Sequence, residues 1–181
     1  MDTSNLINLA SIISLLIAAF LLYFPYIWCR VKKESPEEYG LRWFMTNDAW
    51  HNVILLTIFT VVPLTPVVMN WPGGQIPYRL SYLTAFELLG SGIAAAFIEE
   101  TFFRGWVQTI LSRKIGAFYA IIASSFLFAC THLIINPSWV RFATFVPGLV
   151  MGWLRWRHGS VMPAIIYHAL GNVWSVWFFP R

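Results

Sequence analysis

Long apolar stretches alternate with short polar ones along the whole chain. Six stretches read as spanning helices, at about 6–28, 50–70, 82–111, 116–135, 139–156 and 160–179. Roughly 20 apolar residues carry a helix across the ~30 Å hydrocarbon core of a bilayer. The runs are continuous, which excludes the alternating pattern of a membrane β-barrel. The expectation is an all-α, polytopic membrane helix bundle of about six transmembrane helices. The third stretch is long and carries charges, so it is expected to bend or to lie partly at the interface. Pro63, Pro66 and Pro147 fall inside predicted spans and are expected to kink them. Pro163 falls in the first turn of the last span, where proline is tolerated. The chain divides into two N-terminal helices with their loops (1–80) and a helical core (81–181), with no internal repeat.

Composition sharpens this picture. Of the 181 residues, 58% are hydrophobic and 11% charged, where a soluble domain carries about a quarter charged residues. So small a chain cannot hide that much apolar surface from water. A soluble enzyme, a disordered chain and a disulfide-rich secreted domain are excluded. The net charge of +4 comes from short basic clusters between apolar runs, so no nucleic-acid partner is expected. Arg30, Lys32, Lys33 and Arg42 fill the first connection, Arg113 and Lys114 the third, and Arg155, Arg157 and His158 the fifth. The second, around Trp71-Pro72-Gly73-Gly74, holds Arg79 alone, and the fourth, Asn136-Pro137-Ser138, is followed by Arg141 alone. The positive-inside rule then puts the first, third and fifth connections in the cytoplasm and both termini outside. The localisation expected is an integral multi-pass protein of the cell (inner) membrane. The first apolar run is too long for a signal-peptide core, and Asp2 stands where a positive n-region would, so a retained helix is expected. Trp28, Trp71, Trp139 and Trp156 lie near span ends and read as interfacial anchors. Cys29 and Cys130 form no metal-binding spacing.

Candidate chemistry lies in the ionisable groups inside the spans. Each costs at least ~2.5–3.5 kcal/mol to insert and is a functional candidate by default. Glu100 and Arg104 are four apart, so they share a helix face and can pair. Glu99 points about 100° away from Glu100 and has no partner in its own segment. A desolvated carboxylate without a partner suits general acid/base work. Phe128 and His132 share one face of the fourth predicted span, and His168 and Asn172 one face of the sixth. Both His168 and Asn172 can donate hydrogen bonds to a developing oxyanion. Gly171 between them is expected to allow close helix approach. At 1.5 Å per residue, Glu100, His132, His168 and Asn172 lie roughly 15–24 Å from the cytoplasmic turns, so adjacent spans can bring them to one site. His51 and His158 read as interfacial.

Glu99-Glu100-xxx-Arg104, Phe128-xxx-His132 and His168-xxx-Asn172 occur in this order on three helices. This arrangement resembles the CPBP family of intramembrane proteases, which includes the CAAX prenyl endopeptidases and bacteriocin-processing or immunity proteins. The resemblance covers roughly residues 84–178, with a looser likeness at Pro36-Glu-Glu-Tyr-Gly-Leu41. It implies that Glu99 activates the attacking water with His132, and that His168 and Asn172 hold the oxyanion. It gives Glu100, Arg104 and Phe128 supporting roles. It also implies a membrane-anchored protein or peptide substrate within the lipid bilayer, a C-terminal sorting tail or a pro-peptide being candidate classes. No cofactor is expected on this reading.

Zinc is the alternative, since Glu99, His132 and His168 with a water make a standard catalytic set, although HExxH is absent. Serine chemistry at Gly90-Ser91-Gly92 is disfavoured, because Ser91 lies about 12 Å along the helix from Glu99. Cys130 and His132 diverge on their helix. A reading from another class is a non-catalytic membrane immunity or scaffold protein that binds a partner helix. A proton-relaying transporter lacks the expected repeat symmetry.

Overall fold

The computed structural model describes residues 3–70, 77, 79–135 and 139–178. Trp71 to Gly74, Asn136 to Ser138 and the side chain of Trp139 lie outside this set. The described residues contain helices and no strand. Helix α1 (Thr3–Lys32) is followed by a 3₁₀ turn (Pro36–Tyr39) and α2 (Asn47–Met69). Next comes one continuous rod: α3 (Tyr82–Glu100), a π-helical segment (Thr101–Val107) and α4 (Gln108–Ile115). Then follow α5 (Ala117–Ile135), α6 (Trp139–Phe142), α7 (Phe145–His158) and α8 (Met162–Phe178). The protein is a polytopic helical bundle.

Among the described residues, four helical runs are long and apolar enough to cross a membrane: Ser11–Lys32, Asn47–Met69, Tyr82–Ile115 and Ala117–Ile134. The fifth and sixth predicted segments are helical but shorter. Helix α7 has 14 residues and α8 has 17, about 21 and 25 Å of rise. The expected kink at Pro147 is a break instead. The chain turns at Ala143 and Thr144, and Pro147 falls in the first turn of α7, where its missing N–H costs no hydrogen bond. Pro63 and Pro66 do lie inside α2.

The three basic connections meet at one end of the bundle. Arg113 pairs with Glu34 at 2.8 Å, Arg155 donates to the Tyr39 carbonyl at 3.1 Å, and Arg157 lies 3.5 Å from Asp48. Helix α1 begins, and α8 ends, at the opposite end. One core cluster joins Val53 of α2 to Phe103, Phe128, Met151, Leu154, Ala164 and Tyr167. A second joins Cys29, Tyr39 and Leu41 to Val161 and Ile165. The N-terminal helices therefore share their packing with the remainder of the chain.

Residues 41–46 are not helical, and they are drawn into the bundle. Tyr39 and Leu41 are buried, and a Cβ at Gly105 would collide with Leu41. Backbone in such a place needs internal partners. The buried Ser160 hydroxyl, 2.6 Å from the Arg42 carbonyl and 3.0 Å from that of Phe44, supplies one. The Val161 N–H donates to the same Arg42 carbonyl at 3.3 Å. Gly40 precedes this stretch at φ +65°, and any Cβ there would strike the Arg155 guanidinium, so glycine is required twice over.

Candidate active site

The π segment is the local device that builds the site. Its widened turn is closed by the Gln108 N–H donating to the Phe103 carbonyl five residues back, the π-helical spacing that often marks functional positions. Arg104 lies within it and is fully buried, as is Glu100. The Arg104 guanidinium donates to Glu100 Oε1 at 3.1 Å and to the Gly148 carbonyl at 3.1 Å. It also lies 4.4 Å from the centroid of the Phe128 ring, a cation–π contact. One turn on, Gln108 donates to the Gly152 carbonyl at 2.9 Å. Two i, i+4 donors thus read two i, i+4 glycine carbonyls on α7.

Glycine is what lets α7 come this close. A Cβ at Gly148 would lie 3.2 Å from an Arg104 nitrogen and 3.1 Å from Ser125. A Cβ at Gly152 would lie 2.9 Å from Ile121 and 3.1 Å from Gln108 Oε1. Gly148, Gly152, Gln108 and Ser160 are the site-supporting residues that the motif reading missed. Two signals were present in the sequence. Gln108 continues the polar spacing of Glu100 and Arg104, and Gly148-xxx-Gly152 is a small-residue helix-packing pattern.

Around this anchored pair the motif residues converge. His168 Nδ1 is 2.9 Å from Glu100 Oε1, so Glu100 serves Arg104 and His168 through one oxygen. His168 Nε2 lies 3.9 Å from Glu99 Oε2. His132 Nε2 lies at the same 3.9 Å from that oxygen, approached from α5. His132 Nδ1 is 3.1 Å from the Phe128 carbonyl. The Phe128 ring supports both imidazoles, edge-on to His168 at 5.7 Å and tilted against His132 at 4.4 Å between centroids. Glu99 Oε2 itself is buried and has no hydrogen-bond partner among the described residues. The Glu99 and His132 side chains are each 24% exposed, which leaves the group open to small molecules.

Asn172, one turn after His168 on α8, makes its own tie to α3. Its Nδ2 donates to the Gly92 carbonyl at 2.8 Å and ties α8 to α3 a helical turn and more away from Glu99. Gly171 does not provide the expected close approach, since a Cβ there would meet nothing within 4 Å. His158 lies with Asp48 and Asn52 at the basic end, far from the site.

The donor set is right in kind for zinc, and each imidazole is oriented through its other nitrogen as metal-bound histidines are. The spacing is not right. Bonds of about 2.0–2.2 Å in a tetrahedral site put neighbouring ligand atoms roughly 3.3 Å apart, whereas the separations here are 3.9 Å. No three His, Cys, Asp or Glu side chains among the described residues are arranged to hold a metal ion.

A family model described as Type II CAAX prenyl endopeptidase Rce1-like matches residues 81–174. That span runs from the residue before α3 into α8 and contains all of the converging side chains. No curated protein matches the chain, and neither does any solved structure.

Proposed function

The chain belongs to the type II CAAX prenyl endopeptidase Rce1-like family, and on that footing we propose that it cleaves a peptide bond of a membrane-anchored substrate with water activated by Glu99. One observation carries the reading. A buried carboxylate oxygen with no hydrogen-bond partner among the described residues faces Nε2 of two histidines borne by two different helices. A water bound there would give one proton to Glu99 and attack the scissile carbonyl as hydroxide. Glu99 would then pass that proton to the leaving amine.

The tautomers assign the roles. A carbonyl oxygen only accepts, so His132 Nδ1 carries the hydrogen shared with Phe128. Its neutral Nε2 is left as an acceptor that aligns the water. His168 donates from Nδ1 to the Glu100 carboxylate, so it offers a second N–H only as an imidazolium. In that form its Nε2–H would stabilise the oxyanion. Asn172 spends one amide hydrogen on Gly92 and has the second to complete the oxyanion pair. Arg104 and Phe128 position Glu100 and the rings. In this reading the basic end faces the cytoplasm of a cell-membrane protein, and both termini lie outside.

The test compares protein termini by mass spectrometry in host membranes containing wild type or Glu99→Ala at matched expression. Termini present only with wild type would establish the hydrolase and name its substrates. Coincident profiles would remove the hydrolytic reading in favour of a scaffold. Cleavage by purified protein is expected to survive exhaustive chelation. Loss on chelation with recovery on added Zn²⁺ would instead make Glu99, His132 and His168 metal ligands.

A further inference from the structure

At the basic end of the bundle, a cavity of about 430 Å³ opens between α1 and α4. One side is apolar, formed by Trp28, Trp106 and Ile110. The other carries Lys32, Arg113 and Lys114 with Glu34 and Tyr39. The active-site residues take no part in it.

The cations are not equivalent. Arg113 is committed: it pairs with Glu34 at 2.8 Å and Glu38 at 3.7 Å and lies over the Tyr39 ring. Lys32 and Lys114 have no carboxylate within ion-pair distance among the described residues. Lys32 is the last residue of α1, where a lysine usually serves the helix dipole. Its ammonium instead lies 5.2 Å from the centre of the Trp28 ring, turned onto the cavity wall. Counting Glu34 and Glu38 against the three cations leaves a positive excess. A pocket that passes from indole and aliphatic walls to ammonium groups at a helix end has the polarity of a phospholipid at the bilayer surface. A free anion would leave the apolar side unused, and a zwitterionic headgroup would bring its own cation against the lysines.

We propose that this cavity binds one anionic glycerophospholipid, its phosphate between Lys32 and Lys114 and an acyl chain along Trp106 and Ile110. The site is separate from the proposed hydrolysis and does not depend on it. The test is native mass spectrometry of the detergent-purified protein with equimolar phosphatidylglycerol and phosphatidylcholine of matched chains. Retention of one phosphatidylglycerol in preference to phosphatidylcholine is the expected result. Lys32→Gln with Lys114→Gln should weaken retention on the order of thirtyfold, about fivefold per lysine. Ile110→Trp fills the apolar side with the charge unchanged and should also weaken it. Lys33→Gln, whose side chain does not line the cavity, should not. Equal retention of the two lipids, or retention that the paired lysine variant leaves intact, overturns the proposal. Complete displacement by millimolar inorganic phosphate also overturns it, because the site would then serve a free anion. Should the lysine variant fail to fold, as judged by its circular dichroism melt, Ile110→Trp decides alone.

Discussion

Nδ1 of His132 lies 3.1 Å from the carbonyl oxygen of Phe128, one turn back on the same helix. This bond fixes the ring plane and the tautomer together. It leaves Nε2 facing Glu99, a residue on a helix far removed in sequence. The backbone of α5 thereby orients a side chain for work on α3, and the aromatic ring of Phe128 keeps it from turning.

Replacement of Glu99 by Gln should separate activity from stability. Glutamine keeps the shape but cannot take a proton, so cleavage should fall by about 10²–10⁴-fold. Glu99 Oε2 has no hydrogen-bond partner to lose among the described residues, so the melting temperature should hold or rise, as at other sites strained for function. Cleavage of an identified substrate peptide and a detergent thermal melt measure the two effects. A large fall in melting temperature would mean that Glu99 is a structural residue.

Arg104 should behave in the opposite way. Arg104→Met leaves Glu100 buried without its cation, at a cost of about 3–5 kcal/mol. Glu100→Gln combined with Arg104→Met should recover part of that stability, because no unpaired charge remains. Activity should not return, since the second substitution takes the carboxylate from His168. Thermal melts of the two single variants and the double variant form the cycle that checks this.

Two glycines provide a matched pair. Gly148→Ala pushes a methyl group to 3.2 Å from the Arg104 guanidinium and 3.1 Å from Ser125, and overpacking of this kind costs about 1–3 kcal/mol. Gly171→Ala meets nothing within 4 Å, and alanine is the better helix former by up to about 1 kcal/mol. Gly148→Ala should lower both melting temperature and cleavage rate, while Gly171→Ala leaves both at or above wild type.

At the basic end, the Glu34 carboxyl is held below its ordinary value of 4.5, first by the Tyr39 hydroxyl and then by Arg113, both of which donate to it. A carboxyl depressed in the folded state adds stability above its unfolded value and loses it as the pH falls through its folded one. The melting-temperature difference between wild type and Glu34→Gln should therefore be constant near neutrality and shrink below about pH 4.5. A difference that grows on acidification would reverse the assignment.

The six helical segments and the convergence of Glu99, His132 and His168 were legible because charge in lipid is costly and i, i+4 spacing fixes a shared face. The meeting of the basic connections at one end also followed from their alternation along the chain. What the sequence hid depends on contacts between distant segments. That Nδ1 of His168 is taken by Glu100 is one such contact. Spacing within one helix cannot show which neighbour claims a ring nitrogen. The same holds for Arg104 on the Gly148 carbonyl, because a backbone acceptor leaves no mark in residue identity. The Pro147 break was misread because a proline looks alike inside a span and at the start of one.

The π segment from Thr101 to Val107 makes the rod's two halves answer to different partners. Tyr82 to Glu100 must face α8, whereas Gln108 to Ile115 must face α5 and α7. An ordinary helix turns about 100° per residue, so the widened turn acts as a phase shifter between the halves. Removing one residue within it would let the helix close to regular pitch, with every backbone bond made. It would also swing the glutamate pair by about that same angle from Gln108 and its glycine. What this stretch encodes is therefore its length as much as its chemistry: substitutions are felt one contact at a time, whereas a one-residue deletion misaligns everything upstream at once.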